Sequence, residues 1–444
     1  MNGQLPVSMK TLIDEVKSTF SDDQKIQEMF ENCFSNTYET TIRPQDDETT
    51  FVITGDIPAM WLRDSAAQVR PYLMLAEKDT QMADLIEGVI KKQLACIMHD
   101  PYANAFNEEA NGKRYHNDKT EMTPLLWERK YEIDSLCYPI QLAYLFWKST
   151  GRISHFNGLF QDAVTKIIKT WKIEQNHEAD SNYRFERDDC PPQDTLSHDG
   201  KGAPVGFTGM TWSGFRPSDD ACEYGYLIPS NMFAVVVLKQ IAQIADEIIG
   251  DNNLAKTAID LANEIDQGIQ KFGKVEHPTY GTIYAYETDG LGNYILMDDA
   301  NVPSLLALPY LGYCSIDDPI YQNTRNFILS GENPYYYQGK VAKGIGSPHT
   351  PKHYIWHIAL AIQGMTATTN AEKEDILDLF KRTDANTNFM HEGFHADNPE
   401  KFTRPWFSWA NSMFSEFLLS LCNRFVKGSA LSEQLTIKKE SLFE

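Results

Sequence analysis

DSLCYPIQLAYLFWKSTGRISHFNGLFQDAVTKIIKTWK, residues 134–172, decides the fold. Apolar residues recur at helical spacing on both sides of Thr150-Gly151-Arg152, so the stretch predicts helices over 134–149 and 154–173 joined by a short turn. Long connections, 99–133 and 174–228, lie on either side. Working outward, the same periodicity predicts helices near 8–20, 64–78, 81–98, 229–249, 252–272, 300–312, 318–330, 352–366, 370–383 and 406–426. One more starts at Ser21, with Ile26, Met29, Phe30, Cys33 and Phe34 on one face and Ser21 with Gln24 as a capping box. Short turns such as Gly250-Asp251 alternate with long connections at 41–63, 99–133, 174–228, 273–299, 331–351 and 384–405. Structureless connections beyond about 12–15 residues are normally functional, and regular recurrence favours that reading here. Helical hairpins joined in this way predict an all-α (α/α)6 toroid, an inner and an outer ring of helices with the long loops gathered at one end as the active site. The expectation is one catalytic domain over residues 1–444, with 8–20 as an extra helix. A solenoid would show repeated sequence, and none is visible.

Composition narrows the partners. The chain has 444 residues, 42% of them hydrophobic and 12% aromatic, enough for a large buried core. A formal net charge of −22 repels phosphate backbones and anionic lipid, which disfavours nucleic acid and membranes and leaves room for a neutral ligand. Cys33, Cys96, Cys137, Cys190, Cys222, Cys314 and Cys422 are odd in number, widely spaced and outside any CxxC pattern, so neither a disulfide scaffold nor a zinc site is expected. The N-terminus has no basic stretch followed by an apolar run, and no run of about 18 apolar residues occurs anywhere. A cytoplasmic protein is expected.

The residues able to carry chemistry lie in the long connections and at the inner helix starts they lead into: WLRDS, EIDSLCYP, LIPSN, DDANVPS, PKHYIW and RPWFSWAN. In 207–228 the adjacent carboxylates Asp219 and Asp220 stand among Trp212, Phe215, Tyr224 and Tyr226, surroundings that favour a protonated carboxyl and so a general acid. The plainer role for such a pair is to cap turns. Glu392, in NFMHEGFHAD, has apolar neighbours and is a candidate base. Trp61, Arg63 and Asp64 combine a face that stacks on a sugar with groups that bind vicinal hydroxyls, unless Asp64 merely caps its helix. Asp134 and Asp298-Asp299 have the same placement, with N-capping the favoured role. His353 and His357 have i,i+4 spacing without the HExxH glutamate, so no metal is expected, and His349 is the better ligand contact. No GxSxG elbow, phosphate loop or GxGxxG is present. Carboxylates and aromatics around a mouth remain, the equipment of carbohydrate hydrolysis.

TGDIPAMWLRDSAAQVRPY, WERKYEIDSLCYPIQLAY, TGMTWSGFRPSDDACEYGYLIPSNMFAVVV, DGLGNYILMDDANVPSLLALPYLGYCS and RPWFSWANSMF together resemble glycoside hydrolase family 125, over roughly residues 10–425. The resemblance implies an exo-acting α-1,6-mannosidase of (α/α)6 fold, inverting and without cofactor or catalytic metal, acting on mannose-containing oligosaccharides. It implies an acid within RPSDD, taken as Asp220 with Asp219 as the substitute, and Glu392 as base. Trp61, Arg63, Asp64 and His349 fall in stretches matching the terminal-mannose pocket, and Asp134 and Trp212 complete the expected substrate-binding set. The rival readings are a sugar epimerase on the same toroid, which needs a base such as histidine, and a non-catalytic mannoside-binding protein.

Overall fold

Two kinds of helix follow from two patterns of apolar residues. In Asn252–Phe272 the buried residues Ala258, Leu261, Ala262, Ile265, Gly268 and Ile269 fall on one face, the mark of a helix with one side in water. In Ile228–Ile244 burial runs around the whole circumference, from Ile228 through Phe233, Val237 and Ile241, the mark of a helix inside other helices. Burying Leu261 or Ile265 contributes about 1.5–3 kcal/mol each, so the first pattern fixes which side faces inward. Gly268 has a separate role. A Cβ there would lie 2.6 Å from the Thr208 carbonyl, so the helix touches the loop before Trp212 only because this position has no side chain.

The computed structural model describes residues 5–434; the ends of the expected domain, 1–4 and 435–444, lie outside the described residues. The main helices are α1 (Val7–Thr19), α2 (Gln24–Asn36), α3 (Leu62–Val69), α4 (Thr80–His99), α5 (Ile133–Thr150), α6 (Gly158–Glu174), α7 (Ile228–Ile244), α8 (Asn252–Phe272), α9 (Leu308–Leu311), α10 (Pro319–Ile328), α11 (His357–Met365), α12 (Asn370–Thr383) and α13 (Ser408–Leu421). The chain is mostly helical. Helix α3 packs on α5, α5 on α7, α7 on α9 and α11 on α13, and α13 returns to pack on α3. The amphipathic helices lie against these: α2 on α13, α4 on α5, α8 on α7 and α12 on α11. Helix α6 packs chiefly on α4, not on α5 with which it shares the turn at Gly151. Buried apolar side chains form a continuous core from Met9 to Leu431.

Three expectations need correction. The connections are not free of strands: Met60–Trp61, Ala105–Phe106 and Leu126–Glu128 form one small antiparallel sheet, and Tyr226–Leu227 with Glu287–Thr288 and Tyr294–Ile295 forms another. Strands of two or three residues are too short for alternation to register in a sequence. The helix predicted over 300–312 shrinks to α9, because the Asp298 carboxylate takes the Leu305 and Leu306 amides at 2.8 and 3.0 Å and Pro303 offers no amide at all. The helix predicted over 352–366 begins at His357, after a strand at Tyr354–Trp356, so His353 and His357 share no helical face.

Helix starts divide in the same way as the layers. Apart from α1, which starts after Pro6 without a side-chain cap, the amphipathic helices are capped by side chains: Asp23 for α2, in place of the expected Ser21, then Asp79, Asn157, Asp251, Asp318 and Thr369. The inner helices α3, α5, α7, α11 and α13 start after Trp61, Glu132, Leu227, Trp356 and Phe407, none of which makes a side-chain cap. Their starts serve something other than local stability. Asp251, which accepts from the Asn253 and Leu254 amides at 3.0 and 2.9 Å, tests the contrast. Asp251→Ala is expected to cost about 1 kcal/mol, read as a lower urea midpoint; an unchanged midpoint would count against a capping role.

Candidate active site

Arg63, one residue into α3, gathers four carboxyl groups. Its Nη1 donates to Glu132 Oε2 at 2.7 Å and Asp134 Oδ2 at 3.0 Å, its Nη2 to Asp219 Oδ1 at 3.1 Å, and its Nε lies 3.6 Å from Asp64 Oδ2. A guanidinium suits this because its donors fan out in one plane toward several oxygens. Glu132 and Asp134 reach it from the start of α5, Asp64 from α3 itself. Arg63, Asp64, Glu132 and Asp134 are buried and only Asp219 is partly exposed, so like charges cannot all be carried. Burial, opposed by Arg63, pushes Glu132 well above the ordinary carboxylate range and raises Asp134 too. Asp64 is raised to about 6 by burial, against the pull of Arg63 and Arg404.

Asp219 arrives on a tight turn. The Asp219 amide donates to the Arg216 carbonyl at 2.9 Å with Pro217 in the second position, as turn chemistry favours. Asp219 adopts φ +68°, and Lys130 Nζ donates to its carbonyl at 2.7 Å, fixing the turn against the strand end at Glu128. Burial would raise Asp219, but Arg63 and Lys130 hold it at about 2. Asp220 has different company. It is fully buried, and His349 Nδ1 donates to its Oδ1 at 2.9 Å. Burial alone would lower His349; the Asp220 hydrogen bond instead raises it to about 9, so the imidazole is a cation at neutral pH.

Glu392 immediately precedes the strand Gly393–His395, whose Gly393 pairs with Trp356 at the start of α11. Its Oε1 lies 3.6 Å from Arg404 Nη1, and Arg404 is anchored by Asp56 at 3.0 Å and rests over the Phe407 ring at 4.2 Å. Between these groups lies a cavity of about 200 Å³. Asp219, Glu392, Arg63, Asp64 and His349 supply its polar wall, and Trp61, Trp356, Phe407 and Trp409 its apolar wall. The buried Trp61 Nε1, Trp409 Nε1 and Arg63 Nε find no hydrogen-bond partner among the described residues, so these donors beside the cavity are left unsatisfied.

Trp61, Arg63, Asp64, Asp219, His349 and Glu392 therefore meet in one cavity. Asp220 lies behind it on His349, and Asp134 holds Arg63 without lining the wall. Trp212 belongs to the core, stacked on His177 at 3.6 Å between ring centroids, and a Cβ at Gly225 would lie 2.0 Å from its ring. Neither Asp64 nor Asp134 caps its helix, since each sits inside the first turn. Asp298 does bind main-chain amides, and burial raises it to about 8. Glu132, Lys130, Arg404 and Trp409 went unselected in the sequence, although RPWFSWAN leads into an inner helix as WLRDS does. His357 is buried with Nδ1 at the His391 backbone, so it offers no base at the cavity. Among the described residues no group of three or more His, Cys, Asp or Glu side chains is placed to hold a metal ion.

The Asp220–His349 bond gives a titration that can be followed. A folded value of about 9 against an ordinary 6.5 means the pair's stabilisation is complete below the ordinary value and is lost as pH rises through about 9. In Asp220→Asn, the His349 ring protons observed by NMR are expected to titrate at or below 6.5; a value still near 9 would show that another group holds the proton.

Comparison with known proteins places this arrangement. The family model for metal-independent α-mannosidases, glycoside hydrolase family 125, matches residues 23–419. The meiotically up-regulated gene 157 protein of Schizosaccharomyces pombe is 41% identical over 439 residues, covering 94% of this chain and 86% of its own. A metal-independent α-mannosidase of Streptococcus pneumoniae, solved in a non-productive substrate complex with α-1,6-mannobiose, is 50% identical with a TM-score of 0.92, covering 94% of this chain and 98% of that one. Glucoamylase from Saccharomycopsis fibuligera, 12% identical with a TM-score of 0.55 over 93% of this chain and 96% of that one, shares the fold alone. With its family matched over nearly the whole length, this chain is a glycoside hydrolase belonging to the metal-independent α-mannosidases of family 125.

Proposed function

We propose that this protein is an exo-acting, inverting α-1,6-mannosidase, built as one (α/α)6 toroidal domain, that removes terminal mannose from oligomannosides. The observation that carries the proposal is the single cavity whose wall holds both Asp219 and Glu392. Inversion in one step requires an acid at the glycosidic oxygen and a base at a water on the other side of the ring. Asp219, not Asp220, is the acid in this reading, because Asp219 lines the cavity while Asp220 is fully buried against His349. Asp219 passes a proton to the glycosidic oxygen as the C1–O bond breaks. Glu392 takes a proton from the water that attacks C1, and β-mannose leaves with the shortened alcohol. Arg63, Asp64, Arg404 and His349 bind hydroxyls, and Trp61 and Trp409 cover the C–H faces. The cavity's modest volume suits one sugar ring, which supports exo action. The return of α13 onto α3 and the glucoamylase likeness support the toroid.

A histidine-based epimerase has little support, since the cavity's His349 is protonated and His357 is buried elsewhere. A cytoplasmic location is part of the proposal, supported by seven free cysteines, although the absence of a membrane-crossing helix among the described residues is neutral on it.

Proton NMR of an α-1,6-mannobiose digest is expected to show β-mannose first, with α-mannose appearing only by mutarotation. Initial α-mannose would overturn inversion, and no release would overturn the linkage assignment. Asp219→Asn and Glu392→Gln are each expected to lower kcat about 10²–10⁴-fold, whereas an Asp219→Asn enzyme with normal turnover would return the acid role to Asp220.

A further inference from the structure

An acid at the cavity needs a proton at neutral pH, and Asp219 sits where protons bind poorly. Arg63 Nη2 donates to its carboxylate at 3.1 Å, and Lys130 Nζ lies at its carbonyl. Its neighbour on the same guanidinium is the opposite case. Glu132 Oε2 is fully engaged, accepting from Arg63 Nη1 at 2.7 Å and from Ser135 Oγ at 2.8 Å. Glu132 Oε1 is buried without any donor, and the side chain has no exposure to water. A buried carboxyl oxygen with no donor is costly as an anion and stable when it carries a hydrogen itself. Because Nη1 and Nη2 share one planar head group, the two carboxyl groups they bind are held side by side.

We propose that Glu132 stores the catalytic proton, on Oε1, and delivers it through Asp219 to the leaving group. This rests on the reading of Asp219 as the acid. The Glu132 proton passes to Asp219, which gives it to the glycosidic oxygen as the C1–O bond breaks. Glu132 is left as a carboxylate on Arg63 and Ser135. The attacking water gives its own proton to Glu392. The cycle resets when the Glu392 proton leaves to solvent and one proton from solvent returns through Asp219 to Glu132. No oxidant or cofactor enters. The groups facing the pair agree with this arrangement. Arg63 and Asp134 lie on the Glu132 side; Arg63, Lys130 and the His349 cation lie on the Asp219 side, and Asn104 Nδ2 stands 3.5 Å from Asp219 Oδ1. Cations cluster on Asp219, and burial raises Glu132 well above the ordinary range, so the shared proton rests on Glu132. Glu132 is thus a positioning residue for a proton, acting on substrate only through Asp219.

The test compares substrates that do and do not need an acid. Glu132→Gln keeps an oxygen for Arg63 and Ser135 and an N–H toward Asp219, but it holds no transferable proton. On α-1,6-mannobiose, kcat/KM is expected to fall about 10²-fold, while 2,4-dinitrophenyl α-mannoside, whose leaving group departs unprotonated, stays within about threefold of wild type. The alkaline limb of kcat/KM for mannobiose is expected to move to lower pH by about one unit or more, because Asp219 alone loses its proton sooner. Glu132→Asp, which restores a proton-bearing group, is expected to recover part of the mannobiose activity. Equal losses on both substrates, or an unchanged pH profile, would overturn the proton store. Asp219→Asn separates the two claims. If it spares the aryl mannoside and Glu132→Gln does not, only the role of Glu132 fails; if Asp219→Asn harms both substrates equally, the acid assignment itself fails.

Discussion

One buried guanidinium organises this enzyme. Arg63 draws Glu132 and Asp134 from the start of α5, Asp219 from the turn after Arg216 and Asp64 from its own helix, so three separate stretches of chain are registered on one planar group. Breaking a buried pair by removing one partner typically costs about 3–5 kcal/mol, since the partner left behind is a desolvated charge. The carboxyls around Arg63 cannot leave it without that penalty. Their mutual repulsion is relieved by protonation, which turns an electrostatic problem of folding into a supply of protons at the cavity.

The helix starts serve the same arrangement. Amphipathic helices other than α1 end in Asp, Asn or Thr caps and so satisfy their first amides locally. Inner helices begin with Trp61, Glu132, Trp356 and Phe407, whose side chains are committed to the cavity or to Arg63. The extended backbone at these positions passes directly into the helix, as at Met60–Trp61 and Tyr354–Trp356, so short strands aim the residues that the helices then hold still. Function has displaced capping at the inner starts.

Much of this was legible from periodicity and loop spacing. The rule that polar residues at an inner helix start face the mouth located Trp61, Arg63 and Asp64, and applied to RPWFSWAN it would also have reached Arg404 and Trp409. A different cue, aromatic residues near the Asp219-Asp220 pair, misled for Trp212, which proved to be core under the close approach of Gly225. Sequence alone left Asp219 and Asp220 as alternatives; one turn with Pro217 in its second position gives them separate surroundings. Glu132 was invisible because its significance lies in an oxygen without a donor, a property of three dimensions. The helix expected over 300–312 was lost to Asp298, a residue outside the window whose periodicity predicted it.

The return of α13 onto α3 has a consequence for the chain's own synthesis. Arg404, Phe407 and Trp409 close a cavity whose other wall is laid down at Trp61 and Arg63, so the wall is complete only when the last inner helix has left the ribosome and docked on the first inner one. Contacts at such separation are slow to form, because a long loop must close before they stabilise anything. A truncated or half-made molecule therefore carries Asp219 without the wall that Arg404, Phe407 and Trp409 supply, and the cavity is complete only once α13 has docked on α3.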